Sequence, residues 1–99
     1  MKYSNIVHFK PKPGELENVM EILNDTEDLK GMIHSFVVKT SESTCCSVGI
    51  WESEAHIAEA RPDMIKILDR IREKLEVLSE ELGVTDPYSG PIIQEYRAQ

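Results

Sequence analysis

The side chains with the clearest chemical potential lie on a short apolar stretch that ends in the only tryptophan, Trp51. Ser47 and Gly49 precede it by four and two residues, so on a strand all three side chains share one face. Because Ser47 and Gly49 are small, that face leaves room for a flat ligand beside the indole. The alternatives are a core anchor for Trp51 and a β-bulge or close helix packing at Gly49.

Two titratable or charged side chains could act beside Trp51. A neutral histidine can take a proton from a phenol or a thiol, and His34 becomes a neighbour of Trp51 if the hairpin that follows it has a two-residue loop. Arg61 could hold a carboxylate or an enolate. The simpler interpretations are a packed histidine on a strand and an arginine paired with a nearby acid such as Glu59.

Three larger residues would line the same pocket. Phe36 joins the Trp51 face under the two-residue loop, and Met64 lies on a helix above it. Tyr88, on a late loop, could cover the mouth of the pocket or pack down as a plug. A cavity of about 300–1,000 Å³ with convergent polar groups would indicate a binding site, whereas a space filled by large side chains would indicate a packed core.

The net charge limits the classes of partner. The 99 residues carry a formal charge of −7, so no basic field draws a nucleic acid or an anionic membrane. No apolar run approaches the ~20 residues of a membrane span, and the first residues lack the apolar middle region of a signal peptide. We therefore expect a cytoplasmic protein that binds neither nucleic acid nor membrane.

The cysteines and the known short motifs predict neither a metal site nor a cofactor. Cys45 and Cys46 are adjacent, so they cannot cross-link distant parts of the fold, and no Cys or His pair has zinc-finger spacing. No phosphate-binding loop, Rossmann fingerprint or Ser-His-Asp set is present. We expect no bound metal and no cofactor.

The first elements are a strand and a helix. Residues 3–10 alternate in the manner of a strand, which Pro11 and Pro13 end. Residues 15–29 place apolar side chains at helical spacing, and Gly31 is suited to the end of that helix.

A hairpin follows, with strands at residues 32–40 and 44–52. A two-residue loop pairs Phe36 with Gly49 and His34 with Trp51. A three-residue loop moves these side chains to the other face of the sheet, and the sequence leaves both arrangements open.

A long helix begins at Glu54, with Ser53 as its N-cap. Pro62 predicts a kink or a short helix followed by a longer one, and Gly83 ends the helix. Its apolar seam comprises Met64, Leu68, Ile71, Leu75, Leu78 and Leu82. A coiled coil is the alternative for this spacing.

The last elements are a loop over residues 84–91, rich in proline and glycine, and a strand over residues 92–97. The order β-α-β-β-α-β predicts an α+β, ferredoxin-like fold, in which a four-stranded antiparallel sheet carries both helices on one face. We assign residues 1–99 to a single domain.

Both faces of the predicted sheet are apolar, yet the helices can cover only one. One set comprises Tyr3, Val7, Phe9, Phe36, Val38 and Trp51, and the other comprises Ile6, Ile33, Val37, Cys46, Val48, Ile50 and Ile93. A large exposed apolar face indicates an interface, so we expect a two-fold homodimer through the open sheet face.

Several local features occur together at corresponding places along the chain. They are Pro13-Gly14, Gly31, Trp51-Glu52-Ser53-Glu54 and Asp86-Pro87-Tyr88-Ser89-Gly90-Pro91. With the element order, they resemble the antibiotic-biosynthesis-monooxygenase-like family of the dimeric α+β barrel superfamily over nearly the whole chain. Members of that family include cofactor-free oxygenases of polycyclic aromatics and haem-degrading monooxygenases, and the resemblance implies a dimeric barrel.

The resemblance also implies a site between the sheet and the helices that contains an Asn and a Trp. Trp51 matches the Trp, whereas the Asn would fall at Val7, and Asn5 lies one pleat away on the same strand face. The axial His of haem-degrading members would fall near Arg61, and His56 lies one turn too early to replace it. A haem iron needs an axial ligand, so haem degradation is the least favoured of the activities that the resemblance implies.

The resulting hypothesis is a cofactor-independent monooxygenase for a small aromatic or phenolic substrate. Its candidate catalytic residues are Asn5, His34, Trp51 and Arg61, and its candidate pocket residues are Phe36, Ser47, Gly49, Met64 and Tyr88. The first alternative is a dimeric ligand-binding or scaffold domain without catalysis, and the second is a haem-degrading monooxygenase.

Overall fold

Four antiparallel strands form one sheet, and two helices pack on one of its faces. A computed structural model describes residues 1–26 and 28–98. The elements are β1 Tyr3–Phe9, α1 Leu16–Asn24, β2 Met32–Lys39, β3 Cys45–Trp51, α2 Glu54–Ile71, a 3₁₀ turn Arg72–Lys74 and β4 Thr85–Pro91. The strand order across the sheet is β2-β3-β1-β4, so the predicted β-α-β-β-α-β fold is confirmed.

The register of β1 sets the rows of side chains that cross the sheet. Asn5 lies opposite Gly49 on β3 and opposite Ser89 on β4. Tyr3 lies in the same way between Trp51 and Pro91. Because side chains alternate along a strand, all of these residues lie on the face that the helices cover.

The β2–β3 hairpin has the three-residue loop of the two alternatives. The backbone N–H of Thr40 donates to the carbonyl of Thr44 at 2.9 Å, which leaves residues 41–43 as the loop. The hydroxyl of Ser41 stabilises this loop, since it accepts hydrogen bonds from the backbone N–H groups of Ser43 and Thr44.

This loop corrects the faces given to β2. Phe36 pairs with Val48 rather than Gly49, and His34 pairs with Ile50 rather than Trp51. Phe36, His34 and Val38 therefore lie on the open face of the sheet. Val37 pairs with Ser47 and packs under the helices, where the two-residue loop would have placed its neighbours.

The second helix is shorter than predicted. Helix α2 ends at Ile71, and the chain then turns and becomes extended at Leu75. The backbone of residues 74–76 pairs with that of residues 10–12, through bonds from Lys12 N–H to the Lys74 carbonyl and from Glu76 N–H to the Lys10 carbonyl. Leu75 is thus buried although it is not helical. Because its burial continues the apolar spacing of the helix, that spacing predicted a longer helix.

Pro62 lies inside α2, which is continuous from Glu54 to Ile71 rather than divided into two helices. The predicted N-cap is observed, because the hydroxyl of Ser53 accepts a hydrogen bond from the backbone N–H of His56. Helix α1 ends at Asn24, before the predicted end at residue 29. Glu27, within that predicted helix, lies outside the described residues.

The last strand also differs from the prediction. Residues 85–91, expected to be a loop, form β4, whereas residues 92–97, expected to be a strand, belong to no strand of this chain. Pro87 and Pro91 caused the error, since proline lacks a backbone donor. An edge strand tolerates this loss, because a residue whose N–H would point outward needs no partner there.

The buried core consists of two clusters under the helices. The Phe9 cluster contains Phe9, Val19, Cys45, Ile71 and Leu75, and the Trp51 cluster contains Trp51, Ile57 and Ala60. Neither α1 nor α2 is long and apolar enough to cross a membrane, and the same holds for the rest of the described chain.

Candidate functional site

A hydrogen bond between Asn5 and Trp51 is the distinctive polar contact under the helices. The indole Nε1–H of Trp51 donates to Oδ1 of Asn5 at 2.7 Å. The two residues lie on neighbouring strands, and their side chains point to the same face. The structure therefore brings together two of the four candidate catalytic residues, Asn5 and Trp51.

Gly49 makes room for this hydrogen bond. A Cβ at this position would overlap Oδ1 of Asn5 and would lie 2.9 Å from Nε1 of Trp51. The backbone of Gly49 does not have the positive φ that favours glycine. The absence of a side chain, rather than an unusual backbone conformation, is what the site requires here.

Trp51 is held rigidly and is closed to solvent. Its exposed fraction is 0%, and it contacts Ile57 and Ala60 of α2. The partly buried residues around it are Tyr3, Leu29, Met32 and Met64. Met64 thus lies beside Trp51, as the pocket hypothesis placed it, but the indole itself has the character of a core anchor.

Asn5, in contrast, is only partly buried and keeps a free donor group. An indole N–H can only donate, so the atom of Asn5 that faces it must be the acceptor Oδ1. The two N–H bonds of Nδ2 remain, and within residues 1–26 and 28–98 neither finds a hydrogen-bond acceptor. Every fully buried side-chain polar atom in this part of the chain has a hydrogen-bond partner. Because Nδ2 has none, it is not fully buried.

A row of small and polar residues crosses the sheet at Asn5. From β4 to β2 it consists of Ser89, Asn5, Gly49 and Ser35. We call it the polar row. Ser89 and Ser35 are exposed at the two edges, and no member carries a large side chain. The polar row therefore places only small or polar side chains on the helix side of the sheet, beside the Trp51 cluster.

Ser47 lies one row further along β3, opposite Val7, on the same face as Gly49. The resemblance places the family's Asn at Val7, but a valine side chain has no hydrogen-bonding group. Val7 lies between Ser47 and Pro87 on the neighbouring strands. Asn5, the substitute one pleat away, is the residue that contacts Trp51. Ser47 and Gly49 both keep the predicted face.

His34, Phe36 and Tyr88 lie on the other face of the sheet and do not line a pocket beside Trp51. His34 pairs with Ile50, and its ring centroid is 5.4 Å from that of Phe36. Tyr88 lies opposite Ile6, not on a loop at a pocket mouth. The three-residue hairpin loop and the position of β4 account for these differences.

The phenol of Tyr88 is exposed and donates to a carboxylate oxygen of Asp86 at 3.2 Å. This hydrogen bond, together with the negative charge of Asp86, raises the pKa of the Tyr88 phenol. Tyr88 also lies edge-on to the ring of His8, with 6.0 Å between the centroids. Tyr88 therefore belongs to the open face as a neutral phenol.

Arg61 is exposed on α2 and forms no ion pair with the residues that the structure describes. Among the described residues, no hydrogen bond connects it to Asn5 or Trp51. Its candidate role therefore has no geometric support at this site.

His56 has a structural environment at the start of α2. Its Nδ1 is 2.7 Å from the hydroxyl of Ser53, and its Nε2 is 3.6 Å from a carboxylate oxygen of Glu52. The ring also packs so closely against Gly31 that no Cβ would fit there. Both ring nitrogens thus face side chains of the Trp51–Glu54 junction.

Two surface cavities lie away from Asn5 and Trp51. One, of about 490 Å³, lies where α1 ends beside α2 and includes Asp25 and Arg70. The other, of about 540 Å³, lies at the opposite end of the sheet and includes Lys10, Lys39 and Cys45. Burial raises the pKa of the Cys45 thiol, an effect that the charge of Lys39 partly offsets, so this thiol stays protonated.

No metal site is formed by the described part of the chain, since its His, Cys, Asp and Glu residues do not come together in groups of three or more. The chemistry available under the helices is hydrogen bonding by Asn5 and by the serines of the polar row. The sequence alone does not predict the polar row, because the face that its β2 member Ser35 takes depends on the hairpin register.

Solved structures with this fold include oxygenase-like proteins. A candidate antibiotic biosynthesis monooxygenase from Chloroflexus aurantiacus J-10-fl is similar with a TM-score of 0.72 and 12% sequence identity, and 98% of each chain is covered. A variant of SnoaB, a cofactor-independent oxygenase from Streptomyces nogalater, has a TM-score of 0.67 and 10% identity, with 95% of each chain covered.

A dimeric ferredoxin-like protein from an uncultured marine organism is similar with a TM-score of 0.74 and 15% identity, over 99% of this chain and 93% of that chain. No protein-family model matches the chain, and no curated protein matches its sequence. Identities this low establish the fold alone. The chain thus has the fold of antibiotic-biosynthesis-monooxygenase-like proteins, as the resemblance predicted.

Proposed function

We propose that this protein is a cofactor-independent monooxygenase for a small phenolic or similarly acidic aromatic substrate. The observation that carries the proposal is the Trp51–Asn5 hydrogen bond, which leaves the Asn5 donor group free in the polar row. The fold similarity to a cofactor-independent oxygenase supports the same reaction class.

Asn5 is the proposed catalytic residue, because its Nδ2 can donate hydrogen bonds to the oxygen of a bound phenolate or enolate. A preorganised donor aimed at a developing or full negative charge is a strong source of transition-state stabilisation. Trp51 is a positioning residue. Its N–H fixes the orientation of the amide and polarises it, which makes the opposite N–H bonds better donors.

The reaction needs no external reductant. The substrate anion transfers one electron to O₂, and the two radicals combine to form a carbon–oxygen bond and a hydroperoxide. Loss of water from the hydroperoxide gives a carbonyl, so a phenol is converted to a quinone. One oxygen atom enters the product and the other leaves as water, and the substrate carbon supplies both pairs of electrons that O₂ gains.

The substrate reaches the site as an anion in this proposal. His34, the candidate base, lies on the opposite face of the sheet, and Arg61 lies apart on the surface of α2. Neither is assigned a role. Activity is therefore expected to rise with pH around the substrate's own pKa, and substrates that ionise at lower pH are expected to react at lower pH.

The same proposal includes a two-fold homodimer with the open sheet faces packed together. Phe36 and Val38 are 40% and 44% exposed on that face, next to Ile6, Val48 and Ile50. A stable interface buries roughly 1,200 Å² or more in total. A structural neighbour described as a dimeric ferredoxin-like protein supports this arrangement.

Oxygen uptake tests the catalytic proposal. Polyhydroxylated naphthols and anthrones are added to the purified protein with a metal chelator present, and O₂ consumption and product mass are measured. We expect one oxygen atom in the product, and a decrease of roughly 10²-fold in kcat/KM for Asn5→Ala. Ser43→Ala, on the exposed hairpin loop, is the matched control and should retain full activity.

A dimeric scaffold without turnover remains the second candidate, and the complete burial of Trp51 favours it. In that case Asn5→Ala would lower only stability, by about 1–3 kcal/mol, because the indole N–H would lose its partner. No turnover of any ionised phenol by the wild-type protein, together with such a stability loss, would contradict the oxygenase proposal.

A further inference from the structure

A cavity of about 540 Å³ lies at the end of the sheet opposite Trp51. Its walls come mainly from the connection between β1 and α1, the start of α1 and the loop end of the β2–β3 hairpin. Phe9 and Cys45 pair at this end of the sheet, whereas Tyr3 and Trp51 pair at the other end. The cavity is therefore separate from Asn5 and from the proposed oxygenase site. We call it the lysine cavity.

Three lysines line this cavity, although the chain as a whole is acidic. Lys10, Lys12 and Lys39 are three of the seven lysines in a sequence with a formal charge of −7. None of the three forms an ion pair within the described part of the chain. Lys74, whose carbonyl accepts a hydrogen bond from Lys12, is in contrast paired with Glu15 at 3.3 Å. The cavity thus concentrates positive charge that no described carboxylate contacts directly.

The backbone that carries these lysines is fixed. The N–H of Lys12 donates to the carbonyl of Lys74 at 2.8 Å, and the N–H of Glu76 donates to the carbonyl of Lys10 at 2.7 Å. Lys39 is the last residue of β2. Because these backbone positions are held before a ligand arrives, binding orders only the lysine side chains, which reduces its entropic cost.

We propose that the lysine cavity binds a small phosphate monoester of a hydroxylated compound, such as a sugar phosphate. A phosphate monoester is close to a dianion at neutral pH and presents three strong acceptor oxygens. Each lysine ammonium carries three donors on a flexible stem, so Lys10, Lys12 and Lys39 can each turn towards a group bound in the cavity that they line. Charge-assisted hydrogen bonds from these lysines would hold the phosphate group.

The type of cation favours phosphate over carboxylate. Bidentate recognition of a planar carboxylate is typical of arginine, whereas lysine is a common phosphate ligand that acts as a point charge. The four arginines all lie within the described residues, and none of them lines the lysine cavity. The cavity where α1 ends has the opposite character, because its cation is Arg70, which pairs with Asp25 at 3.5 Å.

The size and the remaining lining of the cavity indicate an organic part of the ligand. Sites for small organic ligands have volumes of about 300–1,000 Å³, so this cavity exceeds the needs of a free phosphate ion. Pro13 and Leu16 supply apolar wall. The carboxylates of Glu42 and Glu76 also line the cavity, where they can accept hydrogen bonds from hydroxyl groups and repel a longer polyanion. A sugar phosphate meets all three requirements.

Changes in backbone amide NMR shifts test the inference. The isotope-labelled full-length protein is titrated with glucose 6-phosphate, with inorganic phosphate and with glucose. We expect saturable shifts in the β1–α1 connection and the hairpin end, with glucose 6-phosphate bound more tightly than either control. No saturable shift there at about 10 mM glucose 6-phosphate would overturn the proposal. Equal affinity for inorganic phosphate would contradict the organic part of the ligand.

Matched charge removals locate the binding site. Lys39→Gln should weaken the binding of glucose 6-phosphate about tenfold, because a charge-assisted hydrogen bond is lost. Lys66→Gln removes the same charge from an exposed position on α2 outside the cavity, and it should change the affinity less than about twofold. Equal weakening in the two variants would reduce the effect to overall charge and would overturn the site.

A short single-stranded oligonucleotide distinguishes a monoester from a nucleic acid as the source of phosphate. It should bind more weakly than glucose 6-phosphate, and tighter binding that depends on Lys39 would overturn the choice of a monoester. The inference does not depend on the proposed oxygenase activity, since Asn5 lies outside the lysine cavity. A protein that binds glucose 6-phosphate here but never consumes O₂ would refute the oxygenase activity alone.

Discussion

The two clusters under the helices differ in what their side chains can do. The side chains of the Phe9 cluster contain no oxygen or nitrogen, and they fill the space between the two helices and the end of the sheet where Phe9 pairs with Cys45. The Trp51 cluster is smaller and borders the polar row, where an indole N–H holds the amide of Asn5. The first cluster provides burial, and the second provides a rigid wall for a group that faces solvent.

This difference separates stability from positioning within one small core. Apolar packing is non-directional, so the Phe9 cluster stabilises the fold without orienting any polar atom. The Trp51–Asn5 bond is directional and depends on a glycine at one position. Substitutions in the Phe9 cluster should therefore lower the free energy of unfolding, and substitutions beside Asn5 should lower the proposed catalytic activity.

The largest effect on stability is expected in the Phe9 cluster. Leu75 is 2% exposed, so Leu75→Ala leaves a cavity and should lower the free energy of unfolding by about 2–5 kcal/mol. Chemical denaturation measures this loss. At temperatures where the variant remains folded, kcat/KM should stay near the wild-type value. A large loss of kcat/KM in the folded variant would show that the two clusters are not independent.

Gly49→Ala should break the site itself. The new Cβ overlaps Asn5 and Trp51, so the hydrogen bond is lost and the free energy of unfolding falls by roughly 1–3 kcal/mol. Oxygen uptake should fall about as far as in Asn5→Ala. Gly90→Ala is the matched control, because nothing lies within 4 Å of a Cβ there. Normal activity in Gly49→Ala would contradict the role given to Asn5.

Filling the polar row from its edges should show which side admits the substrate. Ser89 and Ser35 are both exposed, so Ser89→Phe and Ser35→Phe should each change stability by about 0.5 kcal/mol or less. Ser89 lies directly beside Asn5, whereas Gly49 separates Ser35 from it. We expect KM to rise several-fold in Ser89→Phe and little in Ser35→Phe. The reverse result would place the entrance at β2.

The smallest effect concerns the Cys45 thiol of the Phe9 cluster. Burial raises its pKa above the ordinary value of 9.0, so the folded state holds the thiol proton more tightly than the unfolded state. The resulting stability is present below the unfolded pKa and is lost as the pH rises through the folded pKa. The free energy of unfolding, measured from pH 8 upward, should decline less steeply with pH in Cys45→Ala than in the wild-type protein. Identical slopes would contradict a buried, neutral thiol.

The fold was predictable because its signals are local. Strand alternation, the Ser53 cap and the break at Pro11 each depend on neighbouring residues, and together they indicate the β-α-β-β-α-β order. The length of α2 was not predictable from spacing alone. Leu75 continues the apolar seam, but pairing of the backbone around it with residues 10–12 ends the helix.

The candidate site was predicted only in part. Trp51 and Gly49 stand out in the sequence, and Asn5 entered through the resemblance as a substitute for an Asn expected at Val7. Their contact depends on the register of β1 against β3, which is a tertiary property. His34 and Phe36 were predicted beside Trp51 on the basis of a two-residue loop. The three-residue loop places them on the open face instead, because one additional loop residue reverses every side chain of β2.

That loop gives the protein an unusual sensitivity to insertions and deletions. Removing one residue between Thr40 and Thr44 would exchange the two sets of β2 side chains, so Phe36 would move to the face of the polar row and Ser35 would move to the open face. A single codon deletion would thereby fill the proposed ligand site and weaken the proposed dimer interface at once. In evolution, the length of this loop would therefore be under stronger constraint than the identity of its residues.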